Sequence, residues 1–173
     1  IFKVAFYEIF FILKGFNVTR IDFISNNPDL AENIPCPYYF LNKIKKFLFT
    51  KKINSFLDLG CGSGRVIYFF NKFIKIKYYG IEFFKKPYEQ CLSLFSGNDN
   101  IKITQEDFRN LNFLSNDVDC FFMNEPLKNK DDFKFVVDEI YKSYSKRSKN
   151  YYIILINVTK NDLKNFSNLH LLD

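Results

Sequence analysis

Five short apolar runs recur along this chain with segments of helical spacing between them, and that alternation restricts the fold more than any other feature. The runs are NSFLDLG (54–60), YYGIEF (78–83), IKIT (101–104), VDCFFMN (118–124) and YYIILINV (151–158). The last is rich in β-branched residues and Tyr, which pack well on a pleated surface. Between the runs, Arg65 to Phe73 reads as a helix, and Pro87 suits the first turn of a helix carrying Cys91, Leu92, Leu94 and Phe95. Phe133, Val136, Val137, Ile140, Tyr141 and Tyr144 fall at helical spacing over three turns. Repeated alternation of this kind predicts an α/β fold, a doubly wound, mostly parallel sheet covered on both faces.

Ahead of the first run, residues 1–14 read as an apolar helix that Gly15 is placed to end. A polar connector follows from about 20 to 35, with NNPDL and NIP. Residues 37–49 then put Phe40, Leu41, Ile44 and Leu48 on one face of a second helix. At 173 residues the expectation is a single domain, with 1–49 as a helical extension and 50–173 as the core.

Charge and cysteine usage narrow the chemistry. The formal net charge is +6, but the cations are spread along the sequence and cluster only at KIKK (43–46), Lys51–Lys52 and SKRSK (145–149). Lysine is abundant together with Ile, Asn, Phe and Tyr, residues favoured by A+T-rich codons. A solvated surface therefore outweighs a dedicated nucleic-acid patch. Cys36, Cys61, Cys91 and Cys120 show no CxxC spacing, so no metal site is expected and a reducing cytoplasm fits. The only histidine, His170, would have to serve a Ser-His-Asp triad alone from near the end of the chain. The opening run, IFKVAFYEIFFIL, contains Lys3 and Glu8 and is too short for a membrane span. It does not read as a basic leader followed by a small-residue cleavage site. A buried or partner-packed helix is expected there, with an interfacial helix as the alternative.

Three of the six glycines stand at alternate positions, Gly60, Gly62 and Gly64, directly after the first run and its acid Asp58. Lacking a Cβ, glycine lets the chain turn sharply or approach a ligand closely. In a doubly wound sheet this turn lies at the crevice beyond the strand ends, where ligands bind. A triphosphate would require GxxxxGK[ST], which is absent. A dinucleotide would require GxGxxG, and that register puts Arg65 where the third glycine belongs. S-adenosylmethionine has no phosphate and needs only close backbone approach, with an acid near its ammonium group.

The string Asp58-Leu59-Gly60-Cys61-Gly62-Ser63-Gly64 resembles the glycine-rich signature of class I, seven-strand, Rossmann-like methyltransferases that use S-adenosyl-L-methionine. The segment PCPYYFLNKIKKFL ahead of FLDLGCGSGRV is similar to small bacterial members with a PxPY-type element, whose acceptors are generally unassigned. The likeness covers about 33 to 158. It implies cofactor contacts from Asp58, Gly60, Cys61, Gly62 and Gly64. Glu82, at the end of the second strand, would accept the ribose hydroxyls, although a nicotinamide protein would use an acid there in the same way. Asp107 would receive the adenine amino group, with Phe108 bordering the ring and Phe83 covering its other face. In a chain with 23 phenylalanines, core packing competes with those roles for both Phe83 and Phe108.

Amino-directed members often carry [DN]PP[YF] after the fourth strand. Here the element is Asn124-Glu125-Pro126-Leu127, with Glu125 in place of the first proline and Leu127 in place of the aromatic. It is closer to an Asn-Pro-Phe-like variant or to the NN element of seven-strand histone-lysine enzymes. The resemblance implies Glu125 as base and Asn124 as orienting group, with Tyr38, Tyr39 and Pro126 as substrate walls. The acceptor class it favours slightly is protein lysine or another amine. A non-catalytic cofactor-binding module and, less readily, a nicotinamide oxidoreductase are the alternatives. After Val158 there is room for a helix and one short strand in NLHLL, so the expectation is either an abbreviated sheet lacking the last strand or strands or an incomplete chain.

Overall fold

The computed structural model describes residues 2–16, 18, 34–125, 127–164 and 166. Two helices come first, α1 (Phe2–Leu13) and α2 (Tyr38–Lys51). Five strands follow, β1 (Ser55–Leu59), β2 (Lys77–Glu82), β3 (Ile101–Gln105), β4 (Cys120–Asn124) and β5 (Tyr152–Ile156). Helices α3 (Arg65–Phe73), α4 (Lys85–Leu94) and α5 (Lys130–Tyr144) connect them, and a single turn, α6 (Lys160–Leu163), comes last. Between β3 and β4 the chain makes two 3-10 turns, Phe108–Asn110 and Asn112–Ser115, instead of a full helix. The expected strand in NLHLL, His170 and Pro126 lie outside the described residues.

The five strands are all parallel, in the order β3-β2-β1-β4-β5. This is the doubly wound α/β arrangement the sequence predicts. Strand order reverses between β1 and β4, so the crevice of the fold opens beyond the end of β1.

Side chains of a strand alternate between faces, and both faces here are apolar. Phe56, Tyr78, Cys120 and Phe122 enter one layer with α1, α2 and α3, while Leu57, Leu59, Ile81, Phe121 and Met123 enter the other with α5. The first layer is aromatic: Phe11 of α1 lies 5.3 Å from Tyr38 and 5.1 Å from Phe69, ring centre to ring centre. In α2 the buried face is Tyr38, Leu41, Ile44 and Leu48. The expected Phe40 is only half-buried, because the inward stripe runs through Tyr38, Leu41, Ile44 and Leu48 at spacings of three and four, and Phe40 falls to its side.

Local signals explain the element ends. α2 stops at Lys52 in the left-handed conformation, whose N–H returns to the Leu48 and Phe49 carbonyls. α5 begins at Asn129, whose side chain accepts from the N–H groups of Asp131 and Asp132, and those two acids suit the positive end of the helix. At the opposite end of the sheet from the crevice, Asp119 ties strands together. Its carboxylate accepts from Asn54 N at 2.8 Å and Ser55 N at 3.2 Å, and pairs with Lys149 at 2.6 Å.

Candidate functional site

Parallel register and strand alternation bring three polar side chains to one place. Asp58 pairs with Gly80 in β2 and Phe122 in β4. Glu82 and Asn124 each lie two residues beyond those partners, so Asp58, Glu82 and Asn124 share a face at the carboxyl end of the sheet. Two of them are carboxylates buried to 2% and 6% exposure.

The glycine turn folds over this end. Gly60, Gly62 and Gly64 have φ of 81°, 54° and 87°, the left-handed region that glycine enters without strain. The N–H groups of Gly60 and Cys61 both donate to the Ile81 carbonyl at 2.9 Å, fastening the turn to β2. Gly64 is also sterically required. A Cβ there would stand 2.8 Å from both Cys91 Sγ and Phe95 Cε2.

The two acids differ in how they are satisfied. Glu82 accepts from Gly62 N at 2.8 Å and Phe84 N at 2.9 Å. Burial raises its pKa, and these N–H groups oppose the rise. Asp58 has no such support: its Oδ2 is buried without a partner. Burial, then the neighbouring charge of Glu82, push its pKa well above the ordinary carboxylate range. Three buried side-chain atoms among the described residues lack a hydrogen bond, Asp58 Oδ2, Ser63 Oγ and Arg65 Nε. All three belong to the turn or the residues beside it. Folded proteins rarely leave such groups unmatched, and a cluster of them marks a place built for a ligand.

Arg65, the first residue of α3, connects the turn to the helical layer. Its guanidinium pairs with Glu8 of α1 and stacks 3.9 Å from the Tyr38 ring. The other oxygen of Glu8 accepts from Tyr38 N at 2.6 Å. Cys36 lies in the same neighbourhood, its thiol pushed up to about 12 by burial and then by Asp58. Sequence reasoning did not assign Glu8 or Arg65 to this site. The available signal was Glu8 as the only acid of an apolar helix, since such an acid needs a partner.

The other expected site residues divide. Phe83 follows β2 and is 44% exposed, free to cover a ligand. The Cys61 thiol turns into the core, 3.8 Å from Cys91 Sγ, so only its backbone faces the crevice side. Phe108 is buried in the layer with Leu57, Ile81 and Phe113. Asp107 is engaged by Arg109 through both oxygens, and Arg109 reaches on to Asp132 at 2.9 Å. A ligand amino group would have to share that carboxylate.

Tyr38 is corrected from a substrate wall to a core residue. It is 1% exposed, and its hydroxyl donates to the Phe16 carbonyl at 2.6 Å. Tyr39 is half-buried, packing on Tyr7 with the Lys43 ammonium 4.7 Å from its ring centre.

At the end of β4, Asn124 is held on both sides. Its Nδ2 donates to the Ile34 carbonyl at 2.7 Å, and its Oδ1 accepts from Asn157 Nδ2 at 2.9 Å. Two of its four hydrogen-bonding positions remain. Glu125 is exposed with φ of 44°, a conformation strained for a non-glycine residue. Among the described residues there is no cluster of three or more His, Cys, Asp or Glu able to hold a metal ion.

Comparison with known proteins agrees with this geometry. The family model described as a methyltransferase domain matches residues 57–149. No curated protein matches the sequence. Similar solved structures include a methyltransferase from Geobacter sulfurreducens, with TM-score 0.59 and 14% identity over 96% of this chain and 79% of that one. Another is the S-adenosylhomocysteine-bound methyltransferase of Podospora anserina, with TM-score 0.56 and 18% identity over 70% of this chain. A third is an RNA methyltransferase from Salinibacter ruber, also in complex with S-adenosylhomocysteine, with TM-score 0.53 and 12% identity over 64% of this chain and 71% of that one. The chain spans about half the length of the Podospora protein, 53%. The parallel sheet, the glycine turn with its unmatched polar atoms and the family match lead to one conclusion: this chain belongs to the methyltransferase-domain family, within the class I S-adenosylmethionine-dependent methyltransferases.

Proposed function

We propose that this chain binds S-adenosylmethionine at the glycine turn and transfers its methyl group to an acceptor, with protein lysine or another amine as the slightly favoured class. In this reading residues 50–173 form the cofactor-binding core and 1–49 the helical extension. The observation that carries it is the convergence of unpartnered Asp58 Oδ2, Ser63 Oγ and Arg65 Nε on a turn of three left-handed glycines. Asp58 would take the ligand's ammonium group, Glu82 its ribose hydroxyls, and the backbone of Gly60 to Gly64 its close flank. Phe83 would cover the adenine from its exposed position.

The cofactor brings a methyl group already activated by its sulfonium, so the protein's work is alignment of the nucleophile and removal of its proton. Asn124 suits the first task, since its amide is fixed by Ile34 and Asn157 yet keeps free hydrogen-bonding positions. Glu125, exposed on a strained backbone, suits the second as the proton acceptor. Tyr39 remains the substrate-side aromatic in this proposal.

Calorimetric titration with S-adenosylhomocysteine and, separately, NADH tests the cofactor step on wild type and Asp58→Ala. Binding of the first alone, lost in the variant, is the expected result, and a wild type that binds neither overturns the reading. A second reading, a binding module without turnover, has one specific support: Asn124 is tied to two neighbours and Glu125 replaces a proline of the amino-directed element. Cofactor binding without methyl transfer to any amine would favour it.

A further inference from the structure

The helical layer carries both the charge surplus of this chain and a large share of its exposed apolar side chains. Residues 2–16 and 34–52 contain seven lysines and a single acid, a surplus as large as the +6 of the entire sequence. The acid, Glu8, is already committed to Arg65 and Tyr38 N. Of the thirteen large hydrophobic residues exposed among the described residues, six lie on α1, a helix of 12 residues. Phe2, Phe6, Ile9 and Leu13 follow one another at i, i+4, i+7 and i+11 and so form one ridge. They are 93%, 64%, 60% and 82% exposed.

The ridge is bordered by cations. Lys3 and Lys14 lie along one flank by helical position, and the Lys14 ammonium is 5.9 Å from the Phe10 ring centre. Across the Tyr7–Tyr39 contact stands Lys43. An apolar ridge of Phe, Ile and Leu beside a lysine border is the composition of a helix that lies in a membrane interface. At 1.5 Å per residue α1 is about 18 Å long, which suits lying along a bilayer. Among the described residues no helix is long and apolar enough to cross one.

We propose that α1 docks on an anionic lipid surface, its ridge at the acyl boundary and Lys3, Lys14 and Lys43 on the lipid phosphates. A second copy of the chain is disfavoured, because apposing two such faces brings lysine against lysine with no acid on the ridge to pair. Nucleic acid is disfavoured because aliphatic Ile9 and Leu13 cannot stack on bases and the ridge has no hydrogen-bonding groups.

Co-sedimentation with vesicles of phosphatidylcholine and phosphatidylglycerol (1:1), compared with phosphatidylcholine alone, tests this on the intact chain. Wild type should pellet with the mixed vesicles and not with the neutral ones, and 0.5 M salt should release it. Lys3→Gln/Lys14→Gln/Lys43→Gln should weaken binding by at least about tenfold. Phe6→Ser/Ile9→Ser should abolish it while circular dichroism and S-adenosylhomocysteine affinity stay unchanged. Equal binding by wild type and both variants would overturn the proposal, as would the absence of wild-type binding. A wild-type dimer dissolved by the Phe6 substitution without vesicle binding, or tighter binding to single-stranded RNA than to vesicles, would also overturn it.

Discussion

Asp58 and Glu82 stand on adjacent parallel strands with both carboxyl groups buried at the same end of the sheet, and one is hydrogen-bonded by the backbone while the other has an orphaned oxygen. The asymmetry gives the pair distinct behaviour. Glu82 holds the glycine turn in shape, whereas Asp58 is kept in a state that an incoming cation would relieve.

Stability without ligand should therefore fall as pH rises. Asp58 has a raised pKa in the folded chain, so between its ordinary value, about 3.9, and that raised value the native state binds more protons than the unfolded one. In that window the linkage slope is negative. Asp58→Asn, uncharged at every pH, should flatten this dependence. Urea denaturation at several pH values, wild type beside variant, reads the difference directly.

Affinity for S-adenosylhomocysteine should move the opposite way. The ligand's ammonium pairs with ionised Asp58, so binding strengthens as pH climbs through the raised pKa. It weakens again only where the ligand's own amino group loses its proton. Asp58→Asn should cost about 10- to 100-fold in affinity, the loss of one charge-assisted contact. Titration in two buffers of different ionisation enthalpy should show a proton released on binding by wild type and none by the variant.

Gly64→Ala should destabilise the fold by about 1–3 kcal/mol from its backbone conformation alone. The added methyl would also press on Cys91 and Phe95. A lowered melting temperature is expected, and one equal to wild type would contradict the steric account of this turn.

Asp119 should behave as an acid-sensitive staple. Burial works to raise its pKa, but Lys149 and the N–H groups of Asn54 and Ser55 outweigh that and hold it below the usual range. A depressed folded pKa contributes stability above the unfolded value, about 3.9, and that stability is lost as pH falls through the folded value. Asp119→Ala should cost about 2–3 kcal/mol at pH 7 and progressively less on acidification. Chemical denaturation at pH 7 and pH 3 distinguishes this from a pH-independent packing loss.

Glu8→Gln should weaken cofactor binding by about fivefold or more, because the Arg65 guanidinium loses its charged partner beside the glycine turn. Glu8→Asp, which keeps the charge on a shorter stem, should fall between wild type and Gln. Identical affinities for all three would separate α1 from the site.

The layered architecture was legible because each apolar run was bounded by glycine, asparagine or a change of period. The glycines were legible because left-handed backbone dictates their residue type, and Asp58 and Glu82 because each is an acid near the end of an apolar strand. Tyr38 was misplaced because sequence order put it near the crevice while its side chain turned inward, and ring chemistry alone does not distinguish a wall from a core. The absence of a full helix between β3 and β4 had no clear sequence signature. Glu8 stood out as an acid in need of a partner, but the partner, Arg65, was out of reach because it lies 57 residues away.

The shared strand parity of Asp58, Glu82 and Asn124 also sets what kinds of genetic change this crevice tolerates. Loss or gain of a single codon within β1, β2 or β4 would swing that strand's terminal polar residue to the opposite layer, Asn124 into the company of Leu57 and Phe121, and draw an apolar neighbour into its place. Substitutions along these strands can be graded in their effects; frame-preserving indels of one residue cannot.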